Sequence, residues 1–102
     1  MKKASTSYRD NLLKDLADPE EAAAYINAAL EEDSQEAILL ALRDVAEARG
    51  FGDLSRKAKL NRESMYRMLS KRGNPQLSSL TKLLKSIGLS LSVHADKHAK
   101  AA

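Results

Sequence analysis

Along this chain apolar residues recur mostly at the three-and-four spacing of helices, and strict alternation occurs once, near the end. In ADPEEAAAYINAALEED, residues Ala22, Tyr25, Ile26, Ala29 and Leu30 fall on one face. Asp18 is a good N-cap there, Pro19 suits the first helical position, and Glu20 and Glu21 suit the positive dipole end. In DSQEAILLALRDVAEARG the stripe is Ile38, Leu39, Leu42, Val45 and Ala46. Ser34 is its expected N-cap, Arg49 sits where a cation is favourable, and Gly50 ends the helix. Two short helices are expected next, over about residues 53–59 and 62–70, joined through Leu60 and Asn61, with Asn61 capping the second. Gly73 and Pro75 in RGNP are a stop signal. QLSSLTKLLKSIG restarts a helix whose apolar residues are Leu77, Leu80, Leu83, Leu84 and Ile87, closed by Gly88.

The flanks carry weaker signals. A short helix is expected over residues 10–16, residues 1–9 read as a disordered tail, and residues 95–102 as a frayed end. LSLSVH alternates Leu89, Leu91 and Val93 against Ser90, Ser92 and His94, a strand pattern. Nothing else in the chain could pair with it, so it either pairs with its two-fold copy in a dimer or stays extended. The reading is one all-α domain over residues 10–94 with a possible short C-terminal strand. Its 102 residues suffice for a real core.

Composition removes several function classes. The chain has no cysteine, so no disulfide or thiolate metal site is available. His94 and His98 read as tail residues, and no metal or cofactor is expected. Ser78, Ser79 and Ser86 have no base nearby in sequence, and no glycine-rich phosphate loop exists, so no catalytic residue is expected. No apolar run is long enough for a membrane span, and the start MKKASTSYRD lacks the apolar segment of a signal peptide. A cytoplasmic protein is expected.

Charge divides the chain in two. Residues 1–50 hold 6 basic and 11 acidic side chains, residues 51–102 hold 11 and 3, so the halves stand at −5 and +8. Such a division suggests partners of opposite charge. The basic half is most telling in LSRKAKLNRESMYRMLSKRGNP. Leu54, Ala58, Leu60, Met65, Met68 and Leu69 have the spacing of two crossed helices, which leaves Arg62, Glu63, Tyr66 and Arg67 facing outward. In a helix-turn-helix the second helix enters the DNA major groove; Arg can donate twice to guanine and Glu can accept from cytosine. Lys57, Lys59, Lys71 and Arg72 would then lie near phosphates. Ser64 would touch DNA or support the helix start. Tyr66 would pack its ring and offer its hydroxyl to a phosphate, or cap the core. A solvated charged helix is the bland alternative for all of these.

Residues 51–70 resemble the helix-turn-helix of Cro/λ-repressor-type regulators. More closely, AYINAALEE, ALRDVAEARG, LNRESMYRMLS and GNPQLSSLTKLLKSIGLSLSV, in order over roughly residues 8–94, resemble the HigA-like addiction-module antidotes, the antitoxins of type II toxin–antitoxin pairs. YINAAL, GNP and the final GLSLSV are the most family-specific parts. The resemblance implies a λ-repressor-like fold. A homodimer on palindromic operator DNA is expected, because one small helix-turn-helix makes too few contacts for tight specific binding. The resemblance also implies an autorepressor that neutralises a basic toxin of the RelE/ParE superfamily. The acidic half fits that partner on charge, and Glu31, Glu32, Asp33 and Glu36, clustered between two helices, are the expected toxin contacts unless they only solubilise the junction. A stand-alone phage-type repressor without a toxin is the alternative. The chain departs from the pattern at Lys59, where Gly is usual in the turn, at Gly52, where a Ser-type cap is usual, and at Ser55, where Ala is commoner.

Overall fold

The structure is a computed structural model that describes residues 4–97. Its helices are α1 (Ala4–Leu16), α2 (Pro19–Leu30), α3 (Gln35–Arg49), α4 (Phe51–Ala58), α5 (Arg62–Met68) and α6 (Leu77–Ile87). The expected start signals are satisfied by side chains. Asp18 accepts from the Glu20 N–H at 3.2 Å and Ser34 from the Ala37 N–H at 3.2 Å. Asn61 accepts from the N–H groups of Glu63 at 2.7 Å and Ser64 at 3.2 Å. Each bond satisfies a donor that the helix start would otherwise leave orphaned, typically about 1 kcal/mol per cap. Gly50 takes φ 95°, so a single residue both ends α3 and begins α4.

α1 and α2 pack on α3, and α4 packs on α3, α5 and α6. One core runs through both charge halves: Leu16, Ala22, Ile26, Leu42 and Val45 join Leu54, Met65, Leu69, Leu83 and Ile87. Removing a side chain such as Leu54 from this interior forfeits a burial worth about 1.5–3 kcal/mol before any cavity cost. Polar ties from α3 hold the basic half in place. Arg43 Nε donates to Leu69 O at 2.8 Å, Gln35 Nε2 to Gly73 O at 2.9 Å, and Arg49 Nη2 to Ile87 O at 3.1 Å.

Several expectations need correction. α1 begins at Ala4, within the stretch read as tail, because tertiary contacts hold it. Leu12 and Leu16 reach the core, and Arg9 Nη2 lies 2.6 Å from Glu47 Oε1 and 3.1 Å from Asp44 Oδ1 on α3. The segment over residues 89–94, by contrast, behaves as expected of a pattern with no ladder in its own chain: no strand is present among the described residues. α4 starts at Phe51 rather than at residue 53, and α5 stops at Met68 rather than at residue 70. Leu30 and Leu77 are 50 % and 68 % exposed although both are apolar residues at helical spacing; they stand on the last and first turns of their helices. His98 lies outside the described residues.

Asp44 was not anticipated as a buried residue. It is 5 % exposed, pairs with Arg9 and accepts the Tyr25 hydroxyl at 2.7 Å. Burial first, then the bond to Asp44, pushes the Tyr25 phenol up to about 12. The Arg9 guanidinium is held above its ordinary range, chiefly by its hydrogen bond to Glu47.

Candidate nucleic-acid interface

α4 and α5 are joined by a turn whose geometry the residues at 55–61 set. Lys59 adopts the left-handed conformation, φ 57° and ψ 41°, and its N–H bonds to Ser55 O. The Leu60 N–H also reaches Ser55 O, at 3.1 Å, and the Ser55 hydroxyl donates to Leu60 O. Ser55 therefore does more than stay small: it fastens both sides of the turn. Asn61 then starts α5, and Met65 and Leu69 anchor it in the core.

With that face buried, α5 presents Arg62, Glu63, Ser64, Tyr66 and Arg67 to solvent. Tyr66 stacks on Phe51, ring centroids 4.5 Å apart and planes 27° apart, which fixes the ring without hiding it. Arg62 folds back toward α4, its Nη2 3.6 Å from where a Cβ on Gly52 would stand. Lys57, Lys59, Lys71 and Arg72 are exposed around this face. Two of these cations have partners: Lys57 lies 3.5 Å from Asp53, and Lys71 lies 3.6 Å from Glu36. Arg56 also pairs with Asp53, at 2.9 Å.

Beside α5 opens a cleft in which Ser64, Arg67, Arg72, Asn74, Gln76 and Ser79 stand with Met68 and Pro75. Sequence reading placed Arg67 and Arg72 in separate roles and missed that they share this cleft. The close turn that brings them there depends on Gly73, where an added Cβ would sit 2.1 Å from Met68 O. The RGNP stop signal marked the turn but not the closeness of approach. Glu31, Glu32, Asp33 and Glu36 are exposed at the α2–α3 junction, with Asp33 at φ 55°. No group of residues suited to a metal ion occurs among the described residues. No helix among them is long and apolar enough to cross a membrane.

Residues 8–95 match the family described as probable addiction module antidote protein. The chain belongs to that family. An antidote counters a toxin, so membership implies a toxin partner of some kind and suggests a regulatory protein rather than an enzyme. This antidote-family chain is also 38 % identical over 84 residues to an uncharacterized protein of Haemophilus influenzae, covering 82 % of this chain and 87 % of that one. No solved structure matches it.

Proposed function

We propose that the protein is a HigA-like antitoxin that neutralises a RelE/ParE-type toxin and represses its own operon through α4 and α5, acting as a Cro/λ-type helix-turn-helix. The observation that carries this reading is the face of α5. Met65 and Leu69 tie the helix down while Arg62, Glu63, Tyr66 and Arg67 stand exposed beyond the Asn61 cap. That set offers base-edge donors and an acceptor on one short helix, the chemistry of major-groove readout. Lys57, Lys59, Lys71 and Arg72 surround it as phosphate contacts, which supply affinity rather than sequence information. Ser64, at the α5 start, serves the phosphate as well.

One such unit makes few contacts, so a homodimer reads a palindrome with half-sites about 34 Å apart. The outer part of the C-terminal segment supports a dimer contact: Leu91 is 51 % and Val93 98 % exposed. The toxin engages the acidic half, with Glu31, Glu32, Asp33 and Glu36 as its charged contacts. Growth rescue from the toxin of the same module tests the division. The Arg62→Ala/Arg67→Ala protein should rescue as well as the wild type, while repression of its promoter is lost. Loss of rescue together with intact repression would reverse the assignment.

A further inference from the structure

Between α2 and α3 lies a groove of about 210 Å³ that no other part of the described chain fills. Tyr25, Ala28 and Glu32 line it from α2, and Ala37, Leu40 and Ala41 from α3. The alanines keep both helix surfaces low, and Leu40, 48 % exposed, forms an apolar wall. A lone exposed leucine is ordinary, but an apolar concavity with room for a large side chain is not (a cavity of about 150 Å³ holds benzene). The Tyr25 ring is fixed, because its hydroxyl donates to buried Asp44 at 2.7 Å. Glu32 stands at the rim, flanked in sequence by Glu31 and Asp33.

We infer that this groove seats a basic, amphipathic segment of the toxin, an apolar side chain entering between α2 and α3 while neighbouring cations meet Glu31, Glu32 and Asp33. The inference rests on the reading that the acidic half binds the toxin, and it moves the energetic centre of that contact. Charge selects the occupant. A second copy docking groove to groove would set each acidic junction against its own like, which is unfavourable. A copy docking its basic half here would make a head-to-tail contact that need not close and tends to build open chains. Nucleic acid is repelled by the carboxylates. An amphipathic segment in a groove reads such a surface through apolar anchors a turn apart. Buried apolar anchors carry most of the affinity of a contact, whereas rim charges mainly set the rate of encounter. Tyr25 and Leu40 are therefore the anchors, and the acidic residues are the rim.

The test is a binding titration of the full chain with the purified toxin of its own module. Ala28→Trp fills the groove from an exposed position, and Leu40→Lys places a cation on its wall; a triple Glu31→Gln/Glu32→Gln/Asp33→Asn variant removes the rim. Circular dichroism checks that each is folded. The groove variants should weaken binding by about 30-fold or more, chiefly through faster dissociation. The rim variant should lose less than about tenfold, mainly in a salt-dependent association rate. Amide shifts on toxin binding to the labelled wild type should centre on residues 25–32 and 37–41, a readout that needs no variant. If the groove variants bind as the wild type while the rim variant fails, the groove assignment falls and the acidic contact stands. If all three bind as the wild type, both fall. A wild type that forms no complex overturns the antitoxin reading itself. Conversion of a dimer to monomer by Leu40→Lys would make the groove a contact between copies and overturn the inference.

Discussion

Lys71 Nζ stands 3.6 Å from Glu36 Oε2, an ion pair that joins the basic half of the chain to the acidic half. Both side chains are well exposed, so the pair contributes less than about 1 kcal/mol to stability. Its importance is positional. With the nearby bond from Gln35 to Gly73 O, it brings the first turn of α3 beside the turn after α5. The proposed toxin and DNA surfaces are thus neighbours rather than opposite poles.

Glu36→Gln should consequently change stability by under about 0.5 kcal/mol, the range of ordinary surface substitutions. It should tighten DNA binding a few-fold at low salt, because Lys71 loses a competing carboxylate, and the gain should shrink as salt rises. Thermal melting and a binding titration at two salt concentrations check both halves.

The pair of Tyr25 and Asp44 predicts a pH effect. The folded phenol titrates at about 12, above its ordinary 10.0. The folded chain then keeps a proton that the unfolded chain loses in that interval. The stabilisation is complete below pH 10.0 and is lost as pH rises through about 12. Ultraviolet titration of the phenols should show a late step for Tyr25, near pH 12. Tyr25→Phe should remove the late step and cost about 1–3 kcal/mol, since Asp44 stays buried without that donor.

Lys59→Gly separates folding from binding. Lys59 holds φ 57°, a conformation that costs a residue with Cβ about 1–2 kcal/mol and glycine almost nothing. The variant should gain up to about 1 kcal/mol in stability, glycine's greater unfolded freedom offsetting the rest. It should bind all DNA sequences more weakly, with the salt slope reduced by about 1. Denaturant unfolding and salt-dependent titration of one preparation would show the two changes moving in opposite directions.

These residues also show where sequence carried the fold. Asp18, Ser34 and Asn61 were legible because an N-cap bond is local: acceptor and donor lie two or three residues apart. The left-handed turn at Lys59 was hinted at only by the resemblance, which puts Gly at that position; its φ of 57° came from the fold. The start of α1 and the burial of Asp44 were not. Arg9, Tyr25 and Asp44 come from three helices, and no spacing along the chain announces their meeting. Leu30 and Leu77 obey the helical period yet stand at helix ends, where periodicity gives direction but not the extent of the core. The alternation over residues 89–94 is a real pattern, but alternation supplies no ladder partner. On the α5 face, outward Arg62, Glu63 and Arg67 followed from the burial of Met65 and Leu69. The stacking of Tyr66 on Phe51 and the cleft shared by Arg67 and Arg72 required the fold.

The reading role of α5 is tested most directly by titrating promoter DNA from the protein's own operon against scrambled DNA of equal length, for the wild type and for Arg62→Ala/Arg67→Ala. The wild type should prefer its promoter by about 10³-fold or more. The double variant should lose about 1–3 kcal/mol per arginine on the promoter while keeping salt-dependent binding to both DNAs. A wild type with no preference, or a double variant that keeps it, would contradict the assignment of α5 as the reading helix.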